Sequence, residues 1–271
     1  MSIFSNSNKS KKKISIVGAG NLAWHLLPAL ENAGFQIGEI YSKHIANAEK
    51  LASKVYQGKA QAHLDFSDSE SLLFIIAVSD QAIADVTAHI ILPNGAMLVH
   101  TSGTTALQVL EKFEHRGVFY PIQTFSKNRK INFAQAPIVI EASTQLAKET
   151  LVFVANQLKS NYTFLEAEDR KTIHLAAVFA CNFTNHLLGI ANEILDQKDL
   201  DLSILQPLVE ETIAKAFGCG TPYVCQTGPA IRKDEITMQQ HVSMLSKQMD
   251  IKQMYQLLSD GIIKKSPCII N

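Results

Sequence analysis

The amino-acid sequence predicts an α/β fold with a doubly wound parallel sheet, followed by an all-helical C-terminal domain. First, short β-rich runs alternate with helical stretches from residue 14 to about residue 166. Second, several of these runs are almost continuously apolar, which is typical of strands covered by helices on both faces of a sheet. Third, only helical patterns follow residue 166. Alternation of strand and helix indicates βαβ units, and therefore parallel strands.

The elements of the N-terminal part follow in chain order. Strands are predicted in KISIVGA, QIGEIYS, SLLFIIAV, AMLVHTS, GVFYPI, APIVIEA and YTFLEA. Helices are predicted between them in NLAWHLLPALENA, HIANAEKLASKV and TQLAKETLVFVANQL. Residues 1–13 are rich in Ser, Asn and Lys and are expected to form a flexible, solvated tail. The α/β domain is then expected to span residues 14–166.

Residues 167–271 are predicted to form the helical domain. Its first helix, in DRKTIHLAAVFACNFTNHLLGIANEILDQ, runs about 29 residues without proline and is apolar on all sides, so we expect it to be buried on most faces. Further helices are predicted in LSILQPLVEETIAKAFGC, MQQHVSMLSKQ and IKQMYQLLSDGIIKK.

Composition narrows the class of protein. Lys and Arg total 25, as do Asp and Glu, so the formal charge is zero and no nucleic-acid partner is expected. No apolar run approaches the roughly 20 residues that span a bilayer, so no membrane partner is expected either. Cys181, Cys219, Cys225 and Cys268 lack metal-ligand spacing. We expect reduced thiols, mostly packed in the core of a cytoplasmic protein, and no bound metal.

A glycine-rich turn follows the first predicted strand. Residues 18–23 read G-x-G-x-x-A and lead directly into a helix. In this pattern Gly18 allows a tight turn, Gly20 lets the backbone approach a pyrophosphate, and Ala23 lets the helix pack close to the strand. The helix N-terminus then offers free N–H groups to the phosphates. The context favours a dinucleotide site over the alternative, a bare turn between a strand and a helix.

The end of the second predicted strand bears on which dinucleotide would bind. An NAD site usually has an acid there, but this chain has Ser42 and Lys43, and Glu39 lies too early in the strand. A hydroxyl and a cation attract a 2′-phosphate, so NADP is favoured over NAD, although Lys43 is also an ordinary solvated residue. The predicted cofactor-binding residues are Gly18, Ala19, Gly20, Asn21, Leu22, Ser42, Lys43, Ala77, Val78 and Ser79.

Polar residues follow two further strands of the predicted sheet. His100, Thr101 and Ser102 end one strand, and Gln123 and Thr124 follow another. Because ligands bind at the carboxyl ends of parallel strands, His100 or Ser102 is a catalytic candidate, and the two threonines and Gln123 are substrate candidates. The alternative is that all five serve turns and helix caps.

The helical domain carries the remaining candidates. His174 and Asn182 are eight residues apart, about 80° around an α-helix, so they share one broad side. They suit substrate contacts or catalysis, or a hydrogen-bond network between helices. Arg232 could bind a substrate carboxylate or form an ion pair at a domain boundary. The Thr237 hydroxyl could cap one of the last helices.

Five blocks of the sequence together resemble a known family. VGAGNLAWHL, VHTSG, YPIQTF, HLAAVFACNFTNHLL and QTGPAIRKDEITMQQH resemble the signature blocks of a family classed as NADP oxidoreductases, over nearly the whole chain after the tail. That family is similar in architecture to pyrroline-5-carboxylate reductase, to 6-phosphogluconate and β-hydroxyacid dehydrogenases, and to ketopantoate reductase. The resemblance implies a Rossmann-like NADP-binding domain, a helical domain that commonly forms homodimers, and an active site in the crevice between them.

The chain departs from these relatives at three places. β-Hydroxyacid dehydrogenases have a Lys and an Asn four residues apart on the long helix. Here Lys171 is followed four residues later by Leu175, so that pair is missing. Residues 78–80 read Val-Ser-Asp where pyrroline-5-carboxylate reductases often have Val-Lys-Pro. The family block HPxQTF has Tyr120 in place of its histidine here, so a histidine acid at that position would need a substitute.

These observations lead to one main hypothesis and two alternatives. The main hypothesis is an NADP-dependent oxidoreductase that transfers a hydride between nicotinamide and a carbonyl or imine carbon of a small metabolite. His174 or His100 would transfer the proton, and Asn182 and Ser102 would orient the substrate oxygen. One alternative is a non-catalytic NADP(H)-binding regulatory protein. The other is a nucleotide-binding transferase that uses S-adenosylmethionine.

Overall fold

The computed structural model describes residues 2–4 and 12–265, in which eight strands and nine α-helices are found. The strands are β1 (Lys13–Val17), β2 (Gln36–Tyr41), β3 (Lys59–Gln61), β4 (Leu73–Ile76), β5 (Met97–His100), β6 (Arg116–Pro121), β7 (Ile138–Ala142) and β8 (Tyr162–Phe164). The helices are α1 (Asn21–Asn32), α2 (Ile45–Ala52), α3 (Asp80–His89), α4 (Gln145–Gln157), α5 (Ala167–Ala177), α6 (Thr184–Asp196), α7 (Gln206–Gly218), α8 (Glu235–Met244) and α9 (Met249–Lys265).

The strands form one sheet in the order β3-β2-β1-β4-β5-β6-β7-β8. All seven predicted strands are present, and the short β3 is an additional one. The sheet is mixed, which corrects the all-parallel prediction, because β7 runs antiparallel to β6. Residues 122–137, which join these two strands, contain only the 3₁₀ turn Phe133–Gln135 and no crossover helix. A parallel pair needs such a crossover, whereas an antiparallel pair does not.

The core lies on both faces of the sheet. Residues of β4 alternate between two apolar clusters: Leu73 and Ile75 face one, and Phe74 and Ile76 face the other. The first cluster includes the buried face of α1, and the second includes residues of α3. Because each fully buried Leu or Ile contributes about 1.5–3 kcal/mol, this two-sided burial fixes the sheet and its carboxyl edge.

Part of the predicted tail is packed against the α/β domain. Phe4 is buried, and its ring lies 5.5 Å from Phe35 and 5.9 Å from Phe153. The backbone N–H of Ile3 donates to Thr150 Oγ1 at 3.0 Å. The prediction of a solvated tail is therefore wrong for these two residues, and Lys13 already belongs to β1. Residue 1 and residues 5–11 lie outside the described part of the chain.

The chain divides into two compact units after Cys181, rather than after residue 166 as the sequence suggested. Helix α5 groups with the sheet because its Arg170 side chain is fully buried and paired with Glu141 of β7. In the second unit the described residues, 182–265, contain α6 to α9 and no strand, so the prediction of a helical C-terminal part is confirmed.

The long predicted helix is present but differs in two respects. Residues Val178–Phe183, here called the π segment, separate α5 from α6. The 80° spacing of His174 and Asn182 assumed an uninterrupted α-helix, so it no longer holds. Large apolar side chains along the helix are exposed, which contradicts the predicted burial: Leu175, Phe179, Phe183, Leu187 and Ile194. By length and composition alone, the stretch Ala167–Asp196 could cross a membrane.

The cysteines also differ from expectation. Cys181 is exposed, and Cys219 and Cys225 are partly exposed, so the prediction of thiols mostly packed in the core is wrong for these three. All three are free thiols, as predicted. Cys268 lies outside the described residues.

Candidate active site

The glycine turn has the geometry that its sequence pattern requires. Gly18 has a φ of +122°, and a Cβ placed there would lie 2.3 Å from the carbonyl oxygen of Ala77. Only glycine fits this position. A Cβ at Gly20 would meet only the same oxygen, at 3.8 Å, so the space in front of Gly20 is open. In the described structure no side chain caps α1 at Gly20, which leaves its first-turn N–H groups available to an anion.

The end of β2 carries a buried hydroxyl group and an exposed cation. Ser42 is buried, and its hydroxyl accepts the backbone N–H of His44 at 3.4 Å, while Lys43 is exposed. Glu39 accepts hydrogen bonds from Ser15 at 2.7 Å and Ser69 at 2.6 Å. Burial alone would raise the pKa of Glu39, but these hydrogen bonds and Lys13 hold it below its usual value. The Glu39 carboxylate is thus held by Ser15 and Ser69.

The end of β4 lines the same turn. The N–H of Ala77 donates to the Val17 carbonyl at 2.8 Å, and the Ala77 carbonyl lies directly against Gly18. Ser79 is exposed and precedes α3 as its N-cap residue. Lys127, which the sequence analysis missed, donates to the carbonyl of Ala19 at 3.4 Å. This lysine places a cation beside the turn, but no local pattern in the sequence marks it.

His100 is fully buried at the end of β5, and its Nδ1 accepts the backbone N–H of Ser102 at 3.2 Å. The neutral ring therefore carries its proton on Nε2. Burial, and then the nearby positive charge of Arg170, lower the pKa of His100 to about 4. His100 is neutral at physiological pH, so it does not suit the role of proton donor that the sequence left open.

The neighbouring hydroxyl groups stabilise the backbone, which was the alternative role considered for them. Ser102 Oγ accepts the N–H groups of Thr104 at 3.1 Å and Thr105 at 2.9 Å. Thr101 Oγ1 donates to the Ile76 carbonyl at 3.0 Å. Thr104 in turn donates to Asp80 at 2.6 Å, which fixes this loop against the start of α3.

Tyr120 and His174 form a pair that the sequence did not reveal. The Tyr120 hydroxyl lies 3.1 Å from His174 Nδ1, although 54 residues separate them. A Cβ on Gly103 would lie 2.8 Å from both His174 Nδ1 and Tyr120 Cζ, so glycine is required beneath the pair. Burial, and then the charge of Asp80, raise the pKa of Tyr120, which keeps its hydroxyl protonated. Both side chains are half-buried.

A buried ion pair fixes the helix that carries His174. Arg170 is completely buried, pairs with Glu141 of β7, and donates to the Thr105 carbonyl at 2.6 Å. Arg170 and His174 are four residues apart and thus lie on the same side of α5. Arg170 therefore ties this side of the helix to the sheet and to the loop after β5.

The remaining catalytic and substrate candidates are exposed. Gln123 Oε1 accepts the N–H of Thr124 at 2.8 Å, so this pair forms a turn at the surface. Asn182, in the π segment, and Arg232 are exposed residues of the second unit. The cap of α8 is Asp234, whose carboxylate accepts the N–H of Thr237 at 3.1 Å, so the expectation that Thr237 is the cap is wrong.

Comparisons with known proteins agree with the fold. Residues 3–123 match a Rossmann-like domain, and residues 136–262 match a domain of unknown function, DUF2520. A crystal structure from Bacteroides fragilis, described as a "putative NADP oxidoreductase", is 37% identical, with a TM-score of 0.88 over 95% of this chain and 100% of that one. No curated protein matches the chain at a significant level.

Two more distant structures share the fold. A reductive aminase from Aspergillus terreus, solved with NADPH and ethyl-5-oxohexanoate, is 14% identical, with a TM-score of 0.66 over 93% of this chain and 94% of that one. A 1-pyrroline-5-carboxylate reductase from Streptococcus pyogenes is 14% identical, with a TM-score of 0.61 over 93% of this chain and 98% of that one.

The fold and the glycine turn define a protein with a Rossmann-like N-terminal domain and a helical C-terminal region. The chain belongs to the family of the Bacteroides fragilis protein, in which that domain is followed by DUF2520. This family has a soluble, oxidoreductase-like fold. The match leaves only 5% of the chain uncovered, too little to hold the 30-residue stretch Ala167–Asp196, so at least part of that stretch belongs to the shared fold.

Proposed function

We propose that this protein is an NADPH-dependent oxidoreductase that transfers a hydride between nicotinamide and a carbonyl or imine carbon of a small metabolite. One observation carries the proposal: the glycine turn after β1 and the Tyr120–His174 pair at the carboxyl end of β6 lie at the same edge of the sheet. The strands β1, β4, β5 and β6 are parallel, so their carboxyl ends meet at that edge. Ligands of doubly wound sheets bind there.

The residues of the turn fit a dinucleotide. The open space at Gly20 and the uncapped N-terminus of α1 suit a pyrophosphate, and Lys127 adds a cation beside them. Ser42 and Lys43 suit a 2′-phosphate, and Glu39 does not compete because two serines hold its carboxylate. These features support NADP over NAD. Bound NADPH would supply the hydride, and the chain supplies orientation and the proton.

His174 is the proton-transfer group in this proposal, and Tyr120 positions it. A charged His174 ring gives its Nε2 proton to the substrate oxygen or nitrogen as negative charge develops there. The N–H group that remains at Nδ1 then donates a hydrogen bond to the Tyr120 hydroxyl oxygen. When the ring is neutral and Nδ1 is bare, the same hydroxyl donates to it, so the pair persists in both states. Asn182 and Arg232 remain proposed substrate ligands.

A titration with NADPH and NADH tests the cofactor and the class together. Trp24, the single tryptophan, lies one residue past the glycine motif and reports binding by its fluorescence. We expect NADPH to bind at least about tenfold more tightly than NADH. NADPH oxidation with a panel of small carbonyl compounds and amines then tests catalysis. Failure of the folded protein to bind either nucleotide would overturn the proposal, and NADPH binding without any turnover would favour a regulatory binding protein.

We further propose a homodimer formed through the C-terminal helical region, in the cytoplasm. Several apolar side chains of residues 182–265 are strongly exposed, including Ile204 at 67%, Leu208 at 65% and Phe217 at 89%. An exposed set of this kind usually marks an interface. Light scattering should give twice the mass of one chain, and Leu208→Asp should reduce it to one. A monomeric wild-type protein would contradict the dimer and leave the cofactor proposal standing.

A further inference from the structure

Two cysteines come together at the C-terminal end of α7. Cys219 directly follows this helix, and Cys225 ends the 3₁₀ turn Pro222–Cys225. Both donate to one acceptor: the Cys219 N–H lies 3.0 Å, and the Cys225 Sγ 3.5 Å, from the carbonyl oxygen of Lys215. The Cys225 side chain lies close enough to Cys219 to raise the pKa of the Cys219 thiol.

Local backbone geometry explains why residues six apart in sequence meet. The N–H of Thr221 donates to the Cys219 carbonyl at 2.8 Å, and the N–H of Val224 donates to the Thr221 carbonyl at 3.1 Å. Gly220 has a φ of +71°, which reverses the chain between the two tight turns. The proximity of Cys219 and Cys225 at the Lys215 carbonyl is therefore a property of the folded segment and would be lost in an unfolded chain.

The two thiols are accessible and are not part of the candidate active site. Both thiols are free and partly exposed, so a small molecule in solvent can reach them. Neither residue belongs to the glycine turn or to the Tyr120–His174 pair. The segment that they bracket leads into Arg232, seven residues after Cys225.

We propose that Cys219 and Cys225 form a thiol–disulfide exchange site that closes to an intramolecular disulfide. The co-reactant is a low-molecular-weight disulfide such as glutathione disulfide. One cysteine thiolate attacks it, forms a mixed disulfide, and expels one small thiolate. The second cysteine thiolate attacks the mixed disulfide, closes the Cys219–Cys225 bond, and expels the other. The cysteines lose two protons and two electrons, and the small disulfide is reduced to two thiols.

Tryptic peptide mapping tests the proposal directly. Cleavage after Lys215 and Arg232 places both cysteines on one peptide, residues 216–232, whereas Cys181 and Cys268 fall on two others. The full-length protein is equilibrated with glutathione buffers of increasing oxidation and quenched by alkylation. We expect the 216–232 peptide to lose the mass of two hydrogen atoms and to resist alkylation. The disulfide should form at least about tenfold more favourably in the native protein than in urea, because folding raises the effective concentration of the two thiols.

Matched variants separate the pair from the other cysteines. The Cys181→Ser/Cys268→Ser variant should keep the closure, whereas Cys219→Ser and Cys225→Ser should each stop at a glutathione adduct on the remaining thiol. Equal closure in native and urea-treated protein would overturn the proposal, since the fold would then contribute nothing. Glutathione adducts on both cysteines of the wild-type peptide, without closure, would overturn it as well.

Discussion

Replacing His100 with asparagine removes a titratable ring from the buried end of β5 and tests its unusual environment. The asparagine amide oxygen can take the place of Nδ1 and accept the N–H of Ser102, which His100 accepts at 3.2 Å. The variant loses some packing at every pH, because the site is fully buried. The informative quantity is therefore how the free energy of unfolding changes with pH, in the variant compared with the wild type.

The magnitude follows from the pKa. Burial and Arg170 lower the pKa of His100 from 6.5 to about 4. Between these two pH values the unfolded chain binds a proton at His100 that the folded protein does not bind. The stabilisation is complete above pH 6.5 and is lost as the pH falls toward 4. At 1.36 kcal/mol for each pKa unit the full loss is about 3 kcal/mol, of which about 2 kcal/mol is lost between about pH 7 and about pH 5. That is a large share of an ordinary domain's stability.

Urea unfolding at the two pH values measures this difference. Wild-type protein should lose about 2 kcal/mol more than His100→Asn on acidification. His186→Asn is the matched control, because His186 is exposed on α6 and its replacement should leave the wild-type pH dependence intact. Equal losses in wild type and His100→Asn would refute the reasoning, since His100 would then titrate as it does in the unfolded chain.

The remaining predictions concern the nucleotide and the proton. Gly18→Ala should destabilise the fold by about 2–4 kcal/mol, seen in thermal unfolding, because its Cβ has no space and φ is positive. Gly20→Val should abolish NADPH binding while thermal unfolding stays near wild type. Ser42→Asp combined with Lys43→Ala should move preference toward NADH; an unchanged NADPH-to-NADH affinity ratio would contradict our interpretation of β2. Tyr120→Phe should keep NADPH affinity and lower turnover at least about tenfold, with a shifted pH–rate profile.

Much of the fold could be predicted because its signals are local. Apolar runs marked seven strands, and Gly18 and Gly20 marked the turn. The direction of β7 could not be predicted, because it depends on whether residues 122–137 form a crossover helix. The short β3 was missed because three residues, Lys59–Gln61, carry no apolar run of their own. The exposure of Cys219 and Cys225 depends on tight turns that periodicity does not encode.

The candidate site was harder to predict because its contacts are long-range. His174 was named from its place on an apolar helix, but its partner Tyr120 is 54 residues away. The only signal was indirect: a tyrosine stands where the resemblance predicted a histidine. His100 seemed equivalent to His174 in sequence. Their roles differ because their burial differs. His100 is fully buried, which lowers its pKa, whereas His174 is half-buried.

Arg170 connects the helix that carries His174 to the sheet. A buried ion pair is weak evidence for stability, because removing two charges from water offsets most of their attraction. Its position suggests a different role. Through Glu141 and the Thr105 carbonyl, Arg170 ties α5 to β7 and to the loop that contains Gly103. His174 lies one helical turn further, directly above Gly103. The ion pair thus holds His174 against Tyr120, and it explains why α5 groups with the sheet although its sequence resembles the start of the helical region.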